Sequence, residues 1–363
     1  DAGTTSYADT VQRNPVTRYT CTDHLARERQ ALFRDAPLLL CLGGRIANPG
    51  DYVVEEVDGL SVLLVRDNEG RVRAYRNACR HQGAPVAAGA GNASTFRCPY
   101  HAWTYGLDGA LESVPDRRNF DGVCKAGNGL AELPAAEKYG LVFVRPGGGA
   151  PIDVDRHLAT LEQDVASYDF ASFHHYRSLS IERQMNWKLC PETFMEGYHL
   201  EYLHRDSVGP IFFSNLMAFD GFGPHSRLTL PRQRIENLRR KPEADWRLVP
   251  ETAIIYTFFP NVTLVVQAGH VEMWRSYPSG DAPDRCRVEV SVFTPEAVET
   301  EKARIYYEKN IDLAIRTVDG EDFPLSEGIQ AGHAARAHEA VIYGRNEPAL
   351  IHYHQNLAGA LST

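Results

Sequence analysis

The sequence predicts an α+β protein in two parts: a small all-β domain, then a larger domain in which helices cover an antiparallel sheet. Three observations predict it. From residue 37 to residue 148, short β-rich runs alternate with Gly, Asp-Gly and Asn turns. Residues 145–151, Arg-Pro-Gly-Gly-Gly-Ala-Pro, have linker composition. Beyond them, helical patterns flank a set of alternating strands. The expected division is 1–37, 38–148 and 149–363.

Residues 1–37 are polar, with one helical stretch at 23–34. Leu25, Leu32 and Phe33 fall on one face of it, and the segment is expected to pack with the last domain. The β domain draws its strands from 52–54, 61–65, 72–75, 95–98 and 141–144. Asp67-Asn68-Glu69-Gly70 and Asp108-Gly109 are its hairpin turns. In the last domain, 154–168 reads as helix and 178–184 as strand. Residues 212–232 are rich in Phe, Gly and Pro without a clean period and read as a long loop. Strands return at 253–259, 262–266, 271–277 and 287–293. Helices at 295–316 and 323–336 are expected to close the chain. His352-Tyr353-His354 has strand spacing; the pair could coordinate a ligand, but the favoured reading is the polar face of a terminal strand. No internal repeat or low-complexity tract is visible.

Composition narrows the function. Of 363 residues, 43% are hydrophobic and 23% charged, so a sizeable core is available. A net charge of −9 argues against nucleic acid or an anionic membrane as bulk partner. No apolar run approaches the roughly 18 residues of a membrane span. The cysteine count of seven is odd, and Cys21, Cys41, Cys124, Cys190 and Cys286 have no regular spacing. That pattern suits reduced thiols in the cytoplasm better than a disulfide framework. The first residue, Asp1 rather than Met, reads as the mark of a trimmed start.

Two signatures carry chemistry. The first is Cys79-Arg80-His81 and, after sixteen residues, Cys98-Pro99-Tyr100-His101. Zinc can use mixed Cys and His ligands. Here, however, each pair mixes one Cys with one His, C-x-H is tight for a zinc knuckle, and Gly, Pro and aromatic turns flank both pairs. A Rieske [2Fe–2S] centre needs two Cys on one iron and two His on the other. Cys79 and Cys98 are therefore assigned to one iron, His81 and His101 to the other.

The second signature is Glu196-Gly197-Tyr198-His199 and, five residues on, His204, on an expected helix. Five residues turn an α-helix to about 140° off the same face. The two imidazoles can share a metal only if the helix ends there or widens to a π-turn. Two His and one carboxylate on one face of an iron leave open positions for oxygen and substrate. Spacing alone leaves the carboxylate open between Glu196 and Asp322.

With these residues in order, the sequence resembles the α (terminal oxygenase) subunit of the Rieske non-haem iron, ring-hydroxylating oxygenases. The markers are both Cys-His pairs with the run Cys98–Gly109, then Asn186-Trp187-Lys188, Glu196 to His199 with His204, Phe259-Pro260-Asn261, and Glu321-Asp322 with Gln330. The resemblance implies a Rieske β domain joined to a helix-grip (START-like) catalytic domain. It implies Asp322 as third iron ligand beside His199 and His204. It also implies that Glu196 hydrogen-bonds an iron-ligand His and a Rieske His of the neighbouring chain in a head-to-tail homotrimer. Ala102 departs from the Gly common at that position, and His333 and Ala335 replace the Leu and Ser of many relatives; none is a ligand.

Terminal oxygenase function is implied, with a [2Fe–2S] cluster, one Fe(II) and O2 as co-substrate. No G-x-G-x-x-G fingerprint is present, so a separate NAD(P)H-dependent reductase, with or without a ferredoxin, must supply electrons. The chain is short for the family, which favours a trimer without a β subunit. The expected pocket walls are Cys190, Thr193, Phe194, Tyr202, Phe212, Phe213, Tyr256 and Phe258, with Leu216, Phe219, Phe222 and Val265 nearby. The favoured reaction is hydroxylation of an aromatic or bulky apolar compound. Oxidative N- or O-demethylation is the runner-up, since the same rings can hold a methylammonium group. A Rieske electron carrier alone is the distant third.

Overall fold

The computed structural model describes residues 5–362, so the first four residues of the expected 1–37 segment lie outside it. The chain forms two compact units. One comprises Arg29–His157 with Glu162–Phe173; the other comprises the chain up to Glu28, Leu158–Leu161 and the chain from His174 onward. The expected N-terminal segment is thus divided at Glu28. Its α-helix Thr22–Glu28 belongs to one unit and the π-helical turn Arg29–Asp35 to the other.

The first unit is all-β at its centre. A five-stranded antiparallel sheet runs in the order Glu132–Leu133, Val72–Arg76, Leu60–Arg66, Asp51–Val57, Ala90–Asn92. Asp67–Gly70 makes its hairpin: Asp67 Oδ1 accepts from the amides of Glu69 (3.0 Å) and Arg71 (2.8 Å), the local bonding for which Asp is favoured in turns. A three-stranded sheet of Thr95–Arg97, Thr104–Gly106 and Leu111–Ser113 carries the second Cys-His pair in its first turn. One core cluster, including Leu63, Val65, Tyr75, Phe96, Trp103 and Tyr105, also takes in Cys79 and Cys98. The expected 154–168 helix is broken. It consists of Val154–Leu158 and Glu162–Val165, with Ala159 at φ +50° between them.

The second unit is built on a seven-stranded antiparallel sheet. Its order is His174–Arg183, Cys286–Thr294, Val271–Pro278, Val262–Val266, Thr252–Phe258, His225–Pro231, Ala218–Phe222. The last two strands correct the long loop expected at 212–232. Leu228 and Leu230 alternate inward along one strand, and the Gly223-Pro224 turn returns it to its partner. Bulky Phe residues hid that alternation.

The late helices also differ from expectation. The first begins at Glu301, where the Thr300 hydroxyl caps it by accepting from Ala303 N (3.2 Å). It runs to Thr317 and widens into a π-turn at Val318–Asp322, in which Phe323 N bonds Val318 O. The next helix, Phe323–Ala334, follows directly. Pro324 accounts for the change of pitch: in an α-helix its ring would meet the Gly320 carbonyl, four residues back. The helices do not close the chain. Ala340–Tyr343 pairs with Gln12–Pro15 as a two-stranded ribbon, and helix Pro348–Ala360 follows. His352 and His354 therefore lie on a helix rather than a strand. Pro348 at its first turn is the start signal, and apolar Leu350, Ile351, Tyr353 and Leu357 are the buried face.

Candidate active site

The first Cys-His pair sits in the turn after Val72–Arg76, and the second in the turn after Thr95–Arg97. Cys79 and Cys98 are both buried. The imidazoles of His81 and His101 lie side by side, ring centroids 4.7 Å apart. Trp103 stacks on His81 (5.1 Å, 7° between planes) and Phe120 meets the same ring edge-on (5.6 Å). The Tyr105 hydroxyl lies 3.2 Å from Cys79 Sγ and accepts from Arg80 N (2.9 Å). His81 Nδ1 is buried, and among the described residues it has no hydrogen-bond partner. A buried ring nitrogen without a partner is costly unless something absent from the chain takes its lone pair. Two buried thiols and two adjoining imidazoles therefore fit a Rieske cluster. Ala102 holds φ +57°, and its amide closes the turn onto Cys98 O (3.0 Å). That left-handed backbone is why Gly suits the position.

The second signature is not helical. The helix Leu189–Thr193 ends before it, and 196–208 is a string of turns. The Glu196 carboxylate takes the amides of Tyr198 and His199, bonds that replace a helical ladder. Gly197 and these turns free both imidazoles from helical geometry, so His199 and His204 come to one point from five residues apart. Asp322, at the end of the π-turn, meets them. Its Oδ1 lies 3.5 Å from His199 Nε2 and 3.2 Å from His204 Nε2, and one ligand atom from each residue falls within 4.8 Å of the others. Neighbouring donors on an octahedral ion with bonds of about 2.1 Å stand about 3 Å apart. The spacing fits one iron on a two-His, one-carboxylate face.

The nitrogens turned away from this point are held by carboxylates. His199 Nδ1 bonds Glu196 Oε1. His204 Nδ1 lies 2.7 Å from Glu321 Oε2, which also accepts from Ser207 Oγ (2.9 Å). Such partners fix the tautomer and ring orientation of metal-binding His. Burial opposes charge on His204, but Asp322 and Glu321 outweigh it and raise its pKa. The role of Glu321 was not recognised in the sequence, although it adjoins Asp322. Asn186 and Gln330 have structural roles: Asn186 N donates to Gln330 Oε1 (3.1 Å), and both side chains donate to Tyr19 O.

An apolar cavity of about 120 Å³ opens on His199, His204 and Asp322. Of the expected walls, Thr193, Phe194, Phe212 and Val265 line it. Four do not. Tyr256 and Phe258 are buried on the opposite face of the sheet: Ile255 lines the cavity, and strand side chains alternate. Tyr202 is 62% exposed, because the turns that free His199 and His204 carry it to the surface. Cys190 is buried outside the lining, its thiol pKa raised by burial, and Phe213 is half-buried away from it. The walls missed in the sequence include Leu200, Leu230, Ile255, Glu272, Ala314 and Val318. His352 and His354 hold no site of their own. His354 Nε2 lies 2.9 Å from Tyr343 Oη and 3.1 Å from Glu192 Oε1, in a buried polar cluster.

Comparison with known proteins gives the same picture. The model of the ring-hydroxylating α-subunit catalytic domain matches residues 170–363, and that of the Rieske [2Fe–2S] domain matches 38–134. Chloroplastic choline monooxygenase of Spinacia oleracea is 25% identical over 350 residues, spanning 94% of this chain and 76% of its own. The large oxygenase component of the naphthalene 1,2-dioxygenase system of Ralstonia sp is 35% identical over 292 residues, 68% and 64% of the two chains. The crystal structure of the quaternary ammonium Rieske monooxygenase CntA with L-carnitine superposes with a TM-score of 0.82 at 19% identity, covering 97% of this chain and 96% of that one. At that identity the likeness speaks for the fold.

Proposed function

The chain belongs to the ring-hydroxylating α-subunit family of Rieske oxygenases, and we propose that it oxidises a small organic molecule whose apolar end enters the cavity beside His199, His204 and Asp322. It is an oxidoreductase that uses O2, and it holds a [2Fe–2S] cluster and a mononuclear iron. When bound, these groups supply stored electrons and the activation of O2. Cys79, His81, Cys98 and His101 would hold the cluster, and His199, His204 and Asp322 the iron. The observation that carries the reading is the meeting of these three side chains on the wall of an apolar cavity.

The chain's own residues have three tasks. Glu196 and Glu321 keep the imidazoles oriented from behind. Phe194, Leu200, Phe212, Ile255 and Val265 exclude water and seat an apolar group. Glu196 also serves as the bridge from a neighbouring chain's cluster. Exposed Tyr198, Tyr202, Leu325, Ile329 and Ile342 support a subunit contact on the catalytic unit. Exposed His101 and Tyr100 support the matching contact on the β unit. A head-to-tail homotrimer fed by an NAD(P)H-dependent reductase follows. Glu196→Gln is expected to leave the cluster's absorption intact and to slow turnover about 10- to 100-fold. Reoxidation of the reduced cluster by O2 in the presence of substrate should slow with it; unchanged turnover would remove the bridging role.

The apolar lining favours an aromatic or bulky apolar group. One observation favours a methylammonium group instead: the Glu272 carboxylate lies in the cavity wall with the rings of Phe194 and Phe212. Choline monooxygenase, by its name, acts on such a compound. A screen of small aromatics and methylated amines with a surrogate reductase tests both. Mass gain of one or two oxygen atoms on an aromatic supports the first reading, and formaldehyde release the second. An absence of substrate-dependent O2 uptake across the panel would leave only electron transfer.

A further inference from the structure

The apolar cavity does not end at its apolar walls. Val208, Phe212, Gln267, Glu272 and Ala314 also line a second cavity of about 200 Å³, whose remaining walls include Arg232, Arg234, His270, Tyr306 and Asn310. The helix Glu301–Thr317 runs along both. Asn310 and Leu313 face the polar cavity, Ala314 faces both, and Thr317 faces the apolar one, a spacing that keeps them on one stripe. Tyr306, one turn before Asn310, is 54% exposed, so the polar cavity is the outer one. From Tyr306 to Thr317 the helix rises about 16 Å. A molecule reaching the metal-binding residues along this stripe has an apolar inner end and a polar outer end.

The outer cavity holds a cation, Arg232, that forms no ion pair among the described residues. Arg232 lies over the Phe212 ring at 4.9 Å and donates from Nη2 to Gln267 Oε1 (2.6 Å). Its Nε is buried without a hydrogen-bond partner among the described residues. The nearby carboxylates have other partners. Glu272 Oε1 lies 2.9 Å from His270 Nε2, Glu272 Oε2 accepts from Trp274 Nε1 (3.0 Å), and Glu251 Oε2 lies 2.8 Å from Arg234 Nε. Among the described residues, no carboxylate stands within ion-pair distance of Arg232. Burial, with Arg234 adding like charge, lowers the Arg232 pKa and outweighs the opposing pull of Glu251, Glu272 and Tyr306. Guanidinium is the side chain best shaped to take a carboxylate through two parallel hydrogen bonds.

We propose that Arg232 is the subsite for an anionic group of the substrate, a carboxylate, so that this enzyme takes organic acids whose apolar or N-methylated end reaches the His199–His204–Asp322 site. The proposal rests on the reading that the apolar cavity seats the substrate. Its test uses binding rather than turnover. Phenylacetate, 3-phenylpropanoate and 4-phenylbutanoate, each with its primary amide, are titrated calorimetrically into the intact holoprotein, Arg232→Met and Arg232→Lys. The wild type should bind the best-fitting acid about 10- to 100-fold more tightly than its amide. Arg232→Met should abolish that preference and Arg232→Lys should keep part of it. Cluster absorption and near-UV circular dichroism verify that each variant is folded. Equal binding of acid and amide by the wild type, or an intact preference in folded Arg232→Met, would overturn the subsite. Acid binding without O2-dependent oxidation would count against the oxygenase reading and leave the subsite standing.

Discussion

Asp322→Ala is expected to lower bound iron from about three atoms per chain to about two, with the cluster's absorption unchanged. Substrate oxidation should fall at least about a thousand-fold, the several kcal/mol that a bound metal contributes to such chemistry. The size of the effect follows from geometry. Among the described residues, Asp322 Oδ1 is the one carboxylate oxygen paired with both Nε2 atoms, at 3.5 Å from His199 and 3.2 Å from His204. Neither neighbouring acid can replace it. Glu196 is turned to His199 Nδ1 and Glu321 to His204 Nδ1, the outer nitrogens of both rings. Asp322→Asn keeps the shape and removes the charge, so it should also lose the third iron. Metal analysis with visible spectra of the same sample reads both quantities. An unchanged iron content in Asp322→Ala would transfer the third ligand to another residue.

That prediction turns on a ligand more than a hundred residues from the two His it joins, and the distance explains what could be read in the chain. The candidate cluster residues were legible because each Cys-His pair is compact in sequence: Cys98 and His101 sit in the turn between paired strands, and Cys79 and His81 sit together in the connection that follows Val72–Arg76. His199 and His204 were legible as a pair. Their local structure was not, because the segment reads as helix until the Glu196 carboxylate captures two amides of its own turn. Spacing left the third ligand open between Glu196 and Asp322. Tertiary packing sets one carboxylate behind His199 and the other in front of it.

The cavity was least legible. Phe and Tyr are heavily used both in cores and in pockets, so composition could not separate Phe194 and Phe212, which line it, from Tyr256 and Phe258, which do not. The deciding fact is strand register. A residue beside a lining position points to the other face of the sheet, and only the structure identifies Ile255 as the lining position. The π-turn that delivers Asp322 was likewise obscure, although Gly320 and Pro324 mark the place where an α-helix cannot continue unchanged.

Glu28→Gln is expected to destabilise the catalytic unit by about 3–5 kcal/mol, because it leaves the Lys188 ammonium buried without its counter-ion. The pair is deeply enclosed: Lys188 Nζ lies 2.6 Å from Glu28 Oε1, and each side chain is 1% exposed. Glu28 Oε2 also accepts from Trp187 Nε1 (2.9 Å), and His24 Nε2 lies 3.1 Å from Oε1. Burial by itself would raise the Glu28 pKa, but Lys188 and His24 more than offset it and hold it at about 2. The folded value therefore lies below the ordinary carboxylate value of about 4.3. The stabilisation is complete above that value and is lost as pH falls through it toward about 2. Denaturant midpoints of wild type and variant should converge over that acid range. Replacing both partners by apolar residues, Glu28→Leu with Lys188→Met, should recover most of the loss, since no charge is then stranded. Recovery would be incomplete because His24 Nε2 and Trp187 Nε1 both lose their partner on Glu28, at about 1–3 kcal/mol for a buried donor left unmade. The pair lies just before the helix Leu189–Thr193, which leads into the turns bearing His199 and His204. Glu28→Gln should therefore also weaken retention of the mononuclear iron, while the cluster, whose proposed ligands lie in the other unit, keeps its spectrum. A midpoint for Glu28→Gln within about 0.5 kcal/mol of wild type, the range of ordinary surface substitutions, would show that Lys188 finds another partner.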